Sequence, residues 1–178
     1  MNTIQPSSLP PSSLLNVPNH FQDSFETILD HATEITPTLV GKTFFSGSPA
    51  WVGKLFTLRN KLVGAIGLKT GEEGKGSREA QLEAFQCQPG EQLGLFKVFT
   101  NNEQEVILGE DDKHLNFRIS LFLEPMDADR KKLILSTTVV FHNNWGRLYF
   151  LPVKPFHRKV VPAMMKKIVA NLNRHQSN

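Results

Sequence analysis

Between residues 114 and 124, Leu115, Phe117, Ile119, Leu121 and Leu123 alternate with His114, Asn116, Arg118 and Ser120. A period of two sends successive side chains to opposite faces, so this segment reads as a strand with one buried and one wetter face. Strand patterns also occupy 93–100, 105–109 and 132–142, divided by turn-rich pieces such as Asn101-Asn102 and Asp127-Ala128-Asp129. Residues 20–29 (HFQDSFETIL), with Phe21 and Phe25, read as the opening strand. Connections this short imply antiparallel hairpins.

Helical spacing takes over elsewhere. Thr36 followed by Pro37 is an N-cap with proline at the first helical position, predicting a short helix to about residue 45. Ser48-Pro49 repeats the signal before AWVGKLFTLRNKLVGAI, predicted helical over 49–66, although Gly53 and Gly64 each weaken it by roughly 1 kcal/mol relative to Ala. Residues 67–77 form a charged, glycine-rich loop. HNNWGRLYF at 142–150 reads as a turn into an aromatic corner, with Trp145, Tyr149 and Phe150 as core and cavity wall. A closing helix is predicted over 155–172, where Pro162 implies a kink or a late start. The whole is an α+β chain: a curved antiparallel sheet on a long C-terminal helix, with a smaller helical segment (about 36–66) inserted after the first strand. Such a helix across a bent sheet leaves a cavity suited to a ligand.

At 178 residues, with 39% hydrophobic and 21% charged positions, the chain fits one ordinary domain. That domain is assigned to 20–178, preceded by a mobile Pro/Ser-rich tail over 1–19. A single cysteine, Cys87, excludes an internal disulfide and a thiol-rich metal site, and makes the cytoplasm the expected compartment. Residues 1–19 lack both the charges and the apolar run of a signal segment, and no stretch of 18 apolar residues occurs. The net charge of +3 is unevenly spread. No acid lies between Glu34 and Glu72, where Lys42, Lys54, Arg59, Lys61 and Lys69 stand, and from Lys154 onward every charged residue is basic. Solvated helix faces, an anionic ligand or a lipid surface all fit this pattern. Nucleic acid does not, because no recognition motif accompanies the charge and core-type residues interleave with it.

Placed at 100° per residue, Arg59 falls in the middle of the apolar face of helix 49–66, among Val52, Leu55, Leu62 and Ile66. A buried guanidinium needs a partner, either a structural carboxylate or carbonyl, or an anionic ligand. His157 projects between Val160, Val161, Met164 and Ile168, as a neutral core histidine or as a pocket acid/base, while Arg158 points away to solvent. Glu110, Asp111, Asp112 and His114 form an acidic cluster whose spacing suits a hairpin turn and lacks the glycine of a calcium loop. GEEGKGS at 71–77 is not a phosphate loop, no G-x-S-x-G elbow occurs, and Cys87 has no adjacent base.

Three blocks carry a resemblance: SPAWVGKLFTLRNKLVGAIGLKTG at 48–71, LGEDDKHLNFRISLFLE at 108–124 and TTVVFHNNWGRLYFLPVKPFHRKVV at 137–161. They make the chain similar to the DUF2867 family of bacterial proteins, within the helix-grip superfamily of Bet v 1-like and START-type proteins. The resemblance implies a helix-grip fold, and relatives across that superfamily bind lipids, sterols, polyketides or hormones, or act as cyclases or hydrolases. Fold alone does not choose among these. The expected function is binding of a small, mostly apolar or amphipathic molecule with a polar or anionic end, between sheet and C-terminal helix. Arg59, His157, Trp51, Arg118, His142 and Tyr149 are the candidate ligand-binding residues. The alternative is a cyclase- or hydrolase-like enzyme with His157, Glu110 or His114 as acid/base, and a third reading is lipid transfer with transient membrane contact. No metal, cofactor or stable membrane association is expected. Helix 49–66 is expected to bury Trp51 and Phe56 on the sheet.

Overall fold

The computed structural model describes residues 3–12, 14, 18–46 and 78–176. Among these, β1 (Gln5–Pro6), β2 (Phe21–Leu29), β3 (Gln92–Leu93), β4 (Phe96–Asn101), β5 (Glu105–Asp111), β6 (Leu115–Pro125) and β7 (Lys131–Phe141) form a seven-stranded sheet in the order β1-β2-β7-β6-β5-β4-β3. Every neighbouring pair is antiparallel. The helices are α1 (Pro37–Phe45), α2 (Arg78–Ala84) and α3 (Asn144–Gln176). The chain is therefore α+β, an antiparallel sheet with a long C-terminal helix, as the hydrophobic pattern predicts. The helix predicted over 49–66 lies outside the described residues.

The sheet register sorts each strand into two faces. Thr27 stands opposite Leu133, Leu133 opposite Leu123, Phe25 opposite Leu135 and Leu135 opposite Leu121. Leu121 in turn faces Val106, and Ile119 faces Leu108. This helix face buries Leu108, Leu121, Leu133 and Leu135 against Met165, Ile168 and Leu172 of α3 and Val40, Phe44 and Phe45 of α1. Removal of that apolar area from water is the main force holding helices to sheet. Thr36 caps α1 as predicted, its hydroxyl accepting from the Leu39 N–H at 3.2 Å. Gly41 then lets α1 settle on Cys87, since a Cβ there would lie 2.7 Å from its Sγ.

The opposite, outer face is not left to water. Ser24 faces Ser136, which faces Ser120, a row of short hydroxyl side chains crossing β2, β7 and β6. The Ser24 and Ser136 hydroxyls hydrogen-bond at 2.8 Å. The N-terminal segment lies over this row: β1 pairs with β2, and the Ser7 N–H donates to the Ser24 carbonyl at 2.9 Å. Further along, the Ser12 and Ser120 hydroxyls both donate to the buried Glu105 carboxylate. The stretch expected as a mobile tail thus supplies an edge strand and a contact to Glu105 on the outer face. Small side chains on the sheet allow that close approach, and composition alone does not reveal it.

The C-terminal helix also departs from expectation. It starts at Asn144, so HNNWGRLYF leads into a helix rather than a turn and corner, and Pro152, Pro155 and Pro162 lie within it. Each proline withholds an N–H from the carbonyl four residues back. Those carbonyls belong to Leu148, Leu151 and Arg158, all exposed residues, where water is available to replace the lost bond. Gly146 faces the sheet, where a Cβ would come within 2.2 Å of the His114 carbonyl oxygen. Trp145, about 100° away around the helix, points outward instead of lining the core.

Candidate functional site

Alternation along β2 puts Phe21, Asp23, Phe25, Thr27 and Leu29 on the helix face, so an aspartate enters an apolar interface. Thr137 of β7 stands directly opposite it. From above, α3 brings His157, whose Nδ1 lies 2.8 Å from Asp23 Oδ2, both side chains being 15% exposed. A carboxylate only accepts, so His157 Nδ1 carries a proton and donates it to Asp23. The Phe21 ring meets the imidazole edge-on at 5.7 Å and packs on Phe150 at 4.8 Å, walling the pair on one side.

This pair leaves hydrogen-bonding capacity unused. Asp23 Oδ1, Thr137 Oγ1 and Thr27 Oγ1 are buried and have no hydrogen-bond partner among the described residues. Buried polar atoms are nearly always paired, because an unpaired one costs about 1–3 kcal/mol. All three lie on one face: Asp23 and Thr137 are directly opposed, and Thr27 stands four residues further along β2, about 13 Å away. The same geometry gives His157 an orienting carboxylate, which fixes the ring's direction and the nitrogen that faces β2.

The remaining predicted site residues scatter. Glu110 is buried on the helix face of β5, opposite Phe117. It stands three strand spacings from β2, about 14 Å. Arg118 points to the outer face, so it shares no site with His157. Its guanidinium is already engaged: Nη1 donates to the carbonyls of Glu110 and Phe117 at 3.2 and 2.9 Å, and Nη2 pairs with Asp111 at 2.7 Å. The group also sits 3.6 Å from the centre of the Phe99 ring. There it helps line an outer-face pocket of about 260 Å³ with Leu14, Ile107, Asn116 and Val140. His114 and His142 occupy the corner where β7 leads into α3, His142 exposed and donating its N–H to the His114 carbonyl at 2.9 Å. The His114 ring contacts Asn143 Oδ1 at 3.1 Å, and the His114 backbone N–H donates to Asp112 Oδ1, the turn chemistry expected of the acidic cluster. Tyr149 is half-buried beside Phe150. Arg59 and Trp51 lie outside the described residues.

Asp23 was not among the sequence candidates, although the signal was present. In FQDSFETIL it is the one charged residue in phase with Phe21, Phe25 and Leu29.

No curated protein matches the chain in sequence. Among solved structures it is similar to that of a conserved protein from Geobacillus kaustophilus, with 10% identity and a TM-score of 0.41 over 86% of this chain and 96% of that one. The family model described as a protein of unknown function, DUF2867, matches residues 18–164, and the chain belongs to that family.

Proposed function

We propose that this protein is a single helix-grip domain over 20–178 with β1 added at the sheet edge, of the Bet v 1-like and START-type superfamily, that binds a small, mostly apolar molecule between sheet and α3. The observation that carries this reading is the pair of opposed, buried oxygens of Asp23 and Thr137, unpartnered among the described residues, within an otherwise apolar interface. These atoms favour a hydroxyl or other hydrogen-bond donor on the ligand, because a carboxylate repels an anion and a hydroxyl serves as either partner. Tyr149 and His157 belong to the binding side, and Arg59 and Trp51 are the proposed anchors for a ligand's anionic or apolar end. No helix among the described residues is long and apolar enough to cross a membrane, and a cytoplasmic, peripheral role suits the reading. A thermal-shift panel of fatty acids, sterols, aromatic acids and matched alcohols tests it. At concentrations about a hundredfold above Kd, a ligand raises the unfolding temperature by about 5–10 °C. A panel with no responders would remove the binding reading.

The Asp23–His157 pair favours a second reading, an acid/base enzyme of cyclase or hydrolase type in the same place. Its mark is turnover of a bound ester or polyketide-like compound that His157→Gln abolishes while binding persists.

A further inference from the structure

The first turns of α3 carry an apolar face that the fold does not use. Trp145, Leu148, Leu151 and Phe156 are 57%, 57%, 65% and 50% exposed. At 100° per residue they span an arc of about 140°, opposite Gly146, Phe150, Val153 and His157 on the side that meets the sheet. Exposed large apolar residues gathered on one helix face mark an interaction surface, whereas scattered ones do not. Arg147, Lys154 and Arg158 run along one edge of this arc and Lys159 lies within it. Further along the helix the same outward side turns basic at Lys166.

We propose that this face of α3 docks reversibly on an anionic lipid bilayer. Charge selects the occupant. No Asp or Glu follows Asp129 in the chain, while ten Lys and Arg residues do. Asp111, in the turn beside the start of α3, is paired with Arg118. A two-fold contact with a second copy would set one acid-free, basic helix against another, a like-charge arrangement. Anionic headgroups complement it instead. The four apolar residues extend over about 17 Å of helix, suiting shallow insertion parallel to the surface, with the tryptophan at headgroup level and the cations on phosphates. Docking of this kind needs no ligand between sheet and helix and stands apart from the binding reading.

The test is co-sedimentation of the full chain with phosphatidylcholine vesicles, with and without phosphatidylserine, at low and high salt. Pelleting is expected to require phosphatidylserine and to weaken as salt rises. The Trp145→Ser/Leu148→Ser double variant should lose at least about ten-fold in partitioning while its unfolding temperature stays unchanged, because both side chains face solvent. Arg158→Glu/Lys159→Glu should remove the phosphatidylserine dependence. Failure of the parent protein to bind phosphatidylserine vesicles would overturn the proposal, as would undiminished binding by the double variant. A dimer in sedimentation velocity that the double variant dissolves, without vesicle binding, would assign the face to a second copy and overturn it equally.

Discussion

Asp23 and His157 show how one pair serves both packing and chemistry. Their 2.8 Å contact ties α3 to β2, so His157→Ala leaves a nearly buried carboxylate with neither oxygen paired. We predict a loss of about 2–4 kcal/mol, measured by urea unfolding. Thr137→Val should do the opposite in the ligand-free protein: it replaces an unpartnered buried hydroxyl by a methyl group of similar shape and stabilises by about 1 kcal/mol. Gly41 gives a further residue-scale test. Alanine at a helix interior ordinarily gains about 1 kcal/mol over glycine, but here its Cβ would stand 2.7 Å from Cys87 Sγ. Gly41→Ala is therefore expected to destabilise by about 1–3 kcal/mol, and adding Cys87→Ala to restore most of the loss. Burial, with Glu91 nearby, pushes the Cys87 thiol up to about 11, so it should resist alkylation at neutral pH until the protein unfolds.

Among the elements, those with strong periodicity were legible. The alternation around Leu121, the cap at Thr36 and the turn at Asp112 all appear where the pattern puts them. The start of α3 was obscured by three prolines and by aromatics that read as a corner, because propensity does not register solvent's ability to satisfy the freed carbonyls. The N-terminal segment was illegible for another reason. Its Pro/Ser composition matches disorder, whereas its order depends on Glu105 and Glu26 far away in sequence. Hydrogen bonds from Ser7 and Gln5 lower the Glu26 pKa below its ordinary 4.5. A depressed folded-state value means this stabilisation is complete above that pH and fades as pH falls through the lower folded value. Protection of the Ser7 amide against hydrogen exchange, relative to its intrinsic rate at each pH, should consequently fall in acid, and Glu26→Gln should lose that pH dependence. Unaltered protection down to full protonation would show that β1 is held without Glu26.

For the molecule as a whole, the sheet has two covered faces with different tasks. The N-terminal segment is tied onto the outer face through Glu105, and the helix face holds buried polar atoms with no partner among the described residues. Strand order and register bring Asp23 to Thr137 and His157, both more than a hundred residues further along the chain, so no local motif announced the three as a set. That site is the central claim. The most direct measurement is ligand-induced stabilisation of the parent and Thr137→Val proteins side by side, with any compound that responds in the parent. The account predicts a higher unfolding temperature for ligand-free Thr137→Val together with a smaller ligand response, about a ten-fold loss of affinity or 1.4 kcal/mol. An equal ligand response in both proteins, or a ligand-free Thr137→Val that unfolds earlier than the parent, would contradict it.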